Sequence, residues 1–245
     1  MKYFLILLCL LLAVCRLSAQ TKKITKANPQ LHTREIYEVL EADTSVKNGL
    51  YTLNDNYGII TRGYYKNNLK DSVWTSYGFR GKISGSGQYK NGKKVGVWEC
   101  YNYKYELSDK YDFDKGIYIF HKDMPEDTLK YIVINGTDTL KTKLDKPALY
   151  LDGEGKLSRL FVTRVRYPAR ALENNTQGKV IVAFIVDLDG RPTDYQVKVG
   201  IKDGLSEEAL KVIKSVEGDW LPAILNNKPV IAEGTLPLSF TLADR

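Results

Sequence analysis

Seven apolar residues stand in succession at Val180-Ile181-Val182-Ala183-Phe184-Ile185-Val186 and stop at Asp187-Leu188-Asp189-Gly190. The run is too short for an independent helix and is rich in β-branched side chains. It reads as a buried strand with both faces at least partly covered. Asp189-Gly190 supplies the positive-φ residue of a tight hairpin, so residues 195–199 return antiparallel beside it. Leu205, Ala209, Val212, Ile213 and Val216 recur at helical spacing, with Ser206 as the expected N-cap and Glu207 and Glu208 suited to the positive end of the dipole. Residues 155–165 carry a second helical pattern in Leu157, Leu160, Phe161 and Val165, which Pro168 ends. The final strand alternates, with Leu236, Leu238, Phe240 and Leu242 inward and Ser239 and Thr241 outward. Pro237 cannot donate to a ladder, which favours an edge. These residues predict a small antiparallel sheet backed by helices, with an edge strand near the C-terminus that can template strand addition.

The first half repeats itself. Gly63-Tyr64-Tyr65-Lys66-Asn67-Asn68 through Val73-Trp74 aligns with Gly87-Gln88-Tyr89-Lys90-Asn91-Gly92 through Val97-Trp98 at a constant offset of 24 residues. Partial copies lie at residues 47–51 and 111–116. Each unit reads as strand, Asn-Gly-type turn, strand, with Tyr and Trp on one face. A single hairpin buries too little to be stable, whereas stacked hairpins share an aromatic layer. Two readings of Tyr65, Tyr89, Trp74 and Trp98 stay open: an inter-hairpin core, or an exposed stripe for glycan, peptide or lipid contact. Residues 127–140, with Asn135-Gly136 at the centre, predict another hairpin, and residues 141–147 read as a linker.

Taken together, Tyr167-Pro168-Ala169-Arg170-Ala171, Gly178, the apolar run, Trp220-Leu221-Pro222 and the closing Leu236-Pro237-Leu238-Ser239-Phe240-Thr241-Leu242 resemble the C-terminal domain of TonB-family energy transducers. The resemblance implies that the last strand captures an extended peptide, the TonB box of an outer-membrane receptor. It also implies that Tyr167-Pro168 matches the end of the box-contacting segment, although Arg164-Val165-Arg166 precedes it where the best-studied members carry Gln-Pro-Gln. The expected peptide-binding residues are Tyr167, Pro168, Leu236, Pro237, Leu238, Ser239, Phe240, Thr241 and Leu242. In that family an N-terminal membrane helix couples to an ExbB–ExbD motor. This chain shows neither a retained helix of that kind nor a long Pro-rich spacer, so the expectation is the peptide-binding end without the motor-coupling end. Residues 35–120 resemble the MORN-like repeats of the YwqK antitoxin-related family, Gly-x-Tyr-x-Asn-Gly followed by Gly-x-Trp, with Asn68 and Ser72 in place of two turn glycines.

Lys2, the apolar residues 4–14 and Leu17-Ser18-Ala19 have the layout of a secretory signal peptide cleaved after Ala19, and eleven apolar residues fall well short of the ~20 that span a bilayer. The expected location is the periplasm. A lipoprotein, from the lipobox-like Leu12-Ala13-Val14-Cys15, and an uncleaved anchor are the alternatives. Removing the signal takes Lys2 and Arg16 away, so the formal charge of +7 becomes +5. The lysines are scattered, which argues for a solvated surface and against nucleic-acid binding. Cys9 and Cys15 leave with the signal, so Cys100 stands alone and reads as a buried core residue.

No catalytic, cofactor or metal constellation is apparent, and the chain reads as a non-enzyme. His32 and His121 stand apart outside any metal-ligand spacing. Ser84-Gly85-Ser86-Gly87 lacks the flanks of a nucleophile elbow or phosphate loop. The expected architecture is α+β: a signal peptide (1–19), an N-terminal linker (20–34), an all-β array of repeated hairpins (35–120), a hairpin and linker (121–146), and a small two-layer α/β domain (147–245) with a three-stranded antiparallel sheet and helices on one face. The expected partner is a TonB-dependent outer-membrane receptor or another envelope protein, with a homodimer as a further option. The alternative function is a scaffold whose repeats are the working surface.

Overall fold

The computed structural model describes residues 20–242, so the expected signal peptide lies outside the described residues. The first half is one antiparallel meander of nine strands in sequence order: β1 (Thr21–Asn28), β2 (Thr33–Leu40), β3 (Lys47–Asp55), β4 (Gly58–Lys66), β5 (Leu69–Tyr77), β6 (Ile83–Lys90), β7 (Lys93–Tyr101), β8 (Leu107–Asp112) and β9 (Ile117–His121). Residues 20–34, read as a linker, instead supply β1, which pairs along its whole length with β2.

The repeat period has a physical cause. Trp74 on β5 and Trp98 on β7 lie flat over Gly63 and Gly87 of the preceding strands, where an added Cβ would come within 2.2 and 2.0 Å of the indole. Each indole N–H donates to a main-chain carbonyl, Trp74 to Tyr64 O at 3.1 Å and Trp98 to Gln88 O at 3.2 Å. The rings continue from strand to strand, Tyr51 stacking on Trp74 at 5.4 Å and Tyr89 meeting Trp74 and Trp98 edge-on at 5.9 and 5.1 Å. Such pairs contribute about 0.5–1.5 kcal/mol each beyond area burial. Trp74, Tyr89 and Trp98 are buried and Tyr65 is partly buried against them, so these rings form the inter-hairpin core and not an exposed stripe. Asn67-Asn68 and Asn91-Gly92 form the two-residue turns with positive φ at both positions. Ser72 and Gly96, one period apart, hold φ of 59° and 61°.

The second half is built on β10 (Lys130–Asn135), β11 (Asp138–Lys143), β13 (Gly178–Val186), β14 (Pro192–Val199) and β17 (Lys228–Phe240), with the short strands β12 (Leu149–Tyr150), β15 (Trp220–Leu221) and β16 (Ala223–Leu225) where they fall in the chain. The expected three strands are present as β14-β13-β17, but the sheet has six. The hairpin β10–β11 joins β17 through Val133↔Ala232 and Ile134↔Ile231, and β16 folds back on the start of β17. Pairing between segments about a hundred residues apart leaves no local periodicity, which is why it is absent from the sequence reading. Helix α1 (Glu154–Arg164) and helix α2 (Ala169–Glu173) precede β13, and helix α3 (Leu205–Lys214) packs on the sheet, with Leu205, Ala209 and Ile213 over Val180, Val182, Leu238 and Phe240. The N-cap of α3 is Gly204, at φ 88°. Ser206, expected there, instead exchanges hydrogen bonds with the Ile201 main chain at 2.8 Å, holding the loop that leads into the helix.

Helix α1 does more than back the C-terminal sheet: it lies against β5, β6 and β7 of the repeat sheet as well as against α3. The cause is Arg159, which is completely buried. Its Nε donates to Asp55 Oδ2 at 2.9 Å, Nη1 to the carbonyls of Ile59 and Gly78 at 2.9 Å each, and Nη2 to Gly58 O at 3.0 Å and to Asp55 Oδ1. Beside it Leu151 and Leu221 enter the aromatic core of the repeats, and the Cys100 thiol donates to Leu151 O at 3.4 Å. Asp152 accepts from Ser76 at 2.6 Å and from Lys156 at 2.7 Å. Burial pushes the Asp152 carboxyl up, but the Lys156 ammonium and the two hydrogen bonds outweigh it and hold the group below the usual carboxylate range.

Three outcomes follow from this joint and from the repeats it caps. Arg159→Ala strands the Asp55 carboxylate and should cost about 3–5 kcal/mol in urea unfolding, with repeat-sheet and C-terminal probes moving together; separate transitions would show that the halves are not coupled there. The depressed Asp152 group contributes stability that is present above its unfolded value of about 4 and is lost as pH falls through the lower folded value. The urea midpoint of the native chain should therefore fall more steeply below about pH 4 than that of Asp152→Asn. Ser72→Gly relieves a left-handed residue and should raise stability by about 1 kcal/mol, measured by the same unfolding curve.

Candidate functional site: the free side of the last strand

The long strand β17 is paired on one side by β13 from Ala232 to Phe240. On its other side β10 contacts only Ile231 and Ala232, so among the described residues no strand covers residues 233–240 there. Pro237 faces Ile181 in the β13 register. With no N–H to give, it sits where its nitrogen points away from β13, which turns the peptide groups of Glu233, Thr235 and Ser239 toward the open side as well. The last strand is thus interior to the sheet at its start and an edge from Glu233 onward.

The side chains follow the expected alternation. Leu238 and Phe240 are buried in the core with α3, Leu236 is partly buried, and Pro237 and Ser239 are exposed. Thr241 and Leu242 lie past the end of the strand, where Leu242 N–H donates to Gln177 Oε1 at 2.8 Å. Tyr167 stands edge-on to Phe240 with ring centres 5.8 Å apart and donates its hydroxyl to Thr176 O at 2.5 Å. Pro168 caps α2. The structure therefore brings Tyr167 against Phe240, while Pro237 and Leu236 stand three and four residues further back along β17 and Pro168 turns into α2.

Where the free stretch of β17 begins, at Glu233, is a cleft of about 370 Å³ that the sequence reading does not anticipate. Along one wall run Glu233 to Pro237 of β17; the facing wall comes from the end of the repeat sheet, with Ser108, Asp109, Tyr118 and His121, and from the segment that leads into β10. His121 sits between two carboxylates, Nδ1 at 2.6 Å from Asp109 Oδ1 and Nε2 at 3.0 Å from Asp127 Oδ2. His121, Asp123 and Asp127 also place one possible ligand atom each within 4.8 Å of one another, a grouping invisible in the spacing of the two histidines. Burial, with the neighbouring Asp109 next, pushes the Tyr118 phenol well above its ordinary value, so it is a neutral hydroxyl. Its oxygen is buried without a hydrogen-bond partner among the described residues. None of these residues carries a sequence signal for the cleft, because β8, β9 and β17 meet only in the tertiary structure.

Among the described residues no helix is long and apolar enough to cross a membrane. In comparison with known proteins, no curated protein matches the chain significantly. One solved structure, of a mutant of S. aureus TarM in complex with Fondaparinux, alpha-GlcNAc-glycerol and UDP, aligns at 12% identity over 46% of this chain and 24% of that one, with a TM-score of 0.25; a likeness that slight carries no argument. Residues 163–242 match the family described as Gram-negative bacterial TonB protein C-terminal. That span starts in the last turn of α1 and runs through β17, and the match supports a TonB-type C-terminal domain there.

Proposed function

We propose that the chain is a periplasmic peptide-capturing protein: an extended segment of an outer-membrane receptor, its TonB box, adds as a strand along the free side of β17 over residues 236–242, with Tyr167 and Pro168 shaping the Phe240 end. The observation that carries this reading is the run of unpaired main chain beyond Ala232, in the strand that ends the matched family domain. Main-chain donors and acceptors at such an edge supply affinity, and alternate side chains supply specificity. Tyr167 acts from behind the strand, fixing Phe240 and so the end of the edge. The coupling helix and motor are not part of this reading. The scaffolding alternative draws on apolar residues exposed on the outer face of the repeats, Tyr64, Val73 and Val97.

The reading is tested by NMR titration of the chain from Gln20 onward with receptor TonB-box peptides. Shifts should concentrate at residues 233–242 and around Tyr167. Ser239→Pro deletes one outward donor at an edge position and should weaken binding roughly 2- to 10-fold with the fold retained. Shifts confined to the repeat sheet would overturn strand capture and favour the scaffold.

A further inference from the structure

The cleft beside residues 233–237 is not built by the matched family domain alone. Its far wall belongs to the repeat sheet and to the segment entering β10, both outside residues 163–242. A strand laid along the open side of β17 from the Phe240 end runs toward this cleft and must stop there, because β10 already occupies the same side at Ile231 and Ala232. Whatever stands at the leading end of the added segment is therefore delivered into the cleft.

The chemistry of the cleft is one-sided. Asp109, Asp127, Glu154 and Glu233 face it, against Lys146 and the His121 ring. Asp109 and Asp127 share that single imidazole, so even an imidazolium leaves the pair net negative. Glu233 is also held at 2.9 Å by Lys198 and Glu154 accepts the Tyr103 N–H at 2.9 Å, so neither is without a partner. Among the uncharged polar groups that line it is the Tyr118 hydroxyl. It is buried, it has no partner among the described residues, and a phenolic oxygen accepts a hydrogen bond from an ammonium or guanidinium. An unsatisfied buried hydroxyl costs free energy that a donor arriving with the peptide recovers. An anionic end would meet four carboxylates and is disfavoured.

Resting on the strand-capture reading above, we propose that this composite cleft selects a cationic group, a Lys or Arg side chain, at the leading end of the captured segment. The repeat array is then the specificity wall of the peptide site, which gives the two halves of the chain one shared function.

The test uses the chain from Gln20 onward and two sets of three acetylated, amidated nine-residue peptides of alternating Thr and Val, identical except that the first residue in one set, and the last in the other, is Lys, Gln or Glu. Calorimetry should rank Lys over Gln over Glu, with Lys and Glu differing by about tenfold for one of the two ends. Raising the salt should narrow the gap. Asp127 lies outside both sheets, so Asp127→Asn should keep the fold and bring the Lys-to-Glu ratio toward one. Tyr118→Phe removes the stranded hydroxyl, and should lower the Lys preference while leaving thermal stability equal or higher. Equal binding of all three peptides in both sets, with shifts along residues 233–242, would overturn the cationic selection and leave strand capture standing. Absence of binding by every peptide, TonB-box peptides included, would overturn both.

Discussion

A single guanidinium, that of Arg159, holds this molecule together. It lies in the interior with all five of its N–H groups directed at acceptors on one corner of the repeat sheet, two of them on Asp55 and three on main-chain carbonyls. Burying such a charge is tolerable only when it is paired and every donor is met. The bonds therefore fix both the position and the rotation of α1 on the sheet. That helix also leads directly into Tyr167-Pro168 and contacts α3. The placement of the C-terminal sheet relative to the repeats follows from satisfying this side chain together with the contacts of Leu151, Leu221, Asp152 and Asp219 across the same joint.

Once α1 is seated, the remaining contacts between the halves fall into place around it. Leu151 and Leu221 close the open face of the aromatic layer, which would otherwise leave Trp74, Tyr89 and Trp98 beneath water. Asp152 and Lys156 continue the seal with polar groups that answer Ser76 and the Ser84 hydroxyl, the latter accepting the Lys156 N–H at 2.8 Å. The same docking brings the ends of β8 and β9 opposite β17 and leaves a cleft where β10 parts from that strand. The free edge and the repeats are thus neighbours by construction, and two readings of the chain that compete in the sequence become parts of one surface.

The repeat sheet shows how a short pattern carries a long structure. Its period requires only a glycine under an indole, an indole N–H reaching the carbonyl ten residues earlier, and a positive-φ turn between them. Where the pattern departs, the backbone does not: Ser72 takes the conformation of Gly96 one period later. Strand content and turn positions in this half are local properties, set by alternation and by Asn and Gly, and for that reason they are legible residue by residue.

The C-terminal strands are legible on the same grounds. The Val180–Val186 run, the return through Tyr195 and the alternation of Leu236, Leu238 and Phe240 each follow from burial on a pleated surface. By itself the sequence determined the repeat strands and the β13, β14 and β17 strands, their faces, the turns between them, and Pro237 as the sign of an edge. It also determined that Cys100 is buried. What only the tertiary structure decided was which segments meet. The pairing of β10 with β17, the bonds from Arg159 to a carboxylate 104 residues away, and the gathering of Asp109, Tyr118, His121 and Asp127 opposite Glu233 all join distant positions. Such contacts are set by the global minimum of burial and hydrogen-bond satisfaction, and no window of local sequence contains both partners.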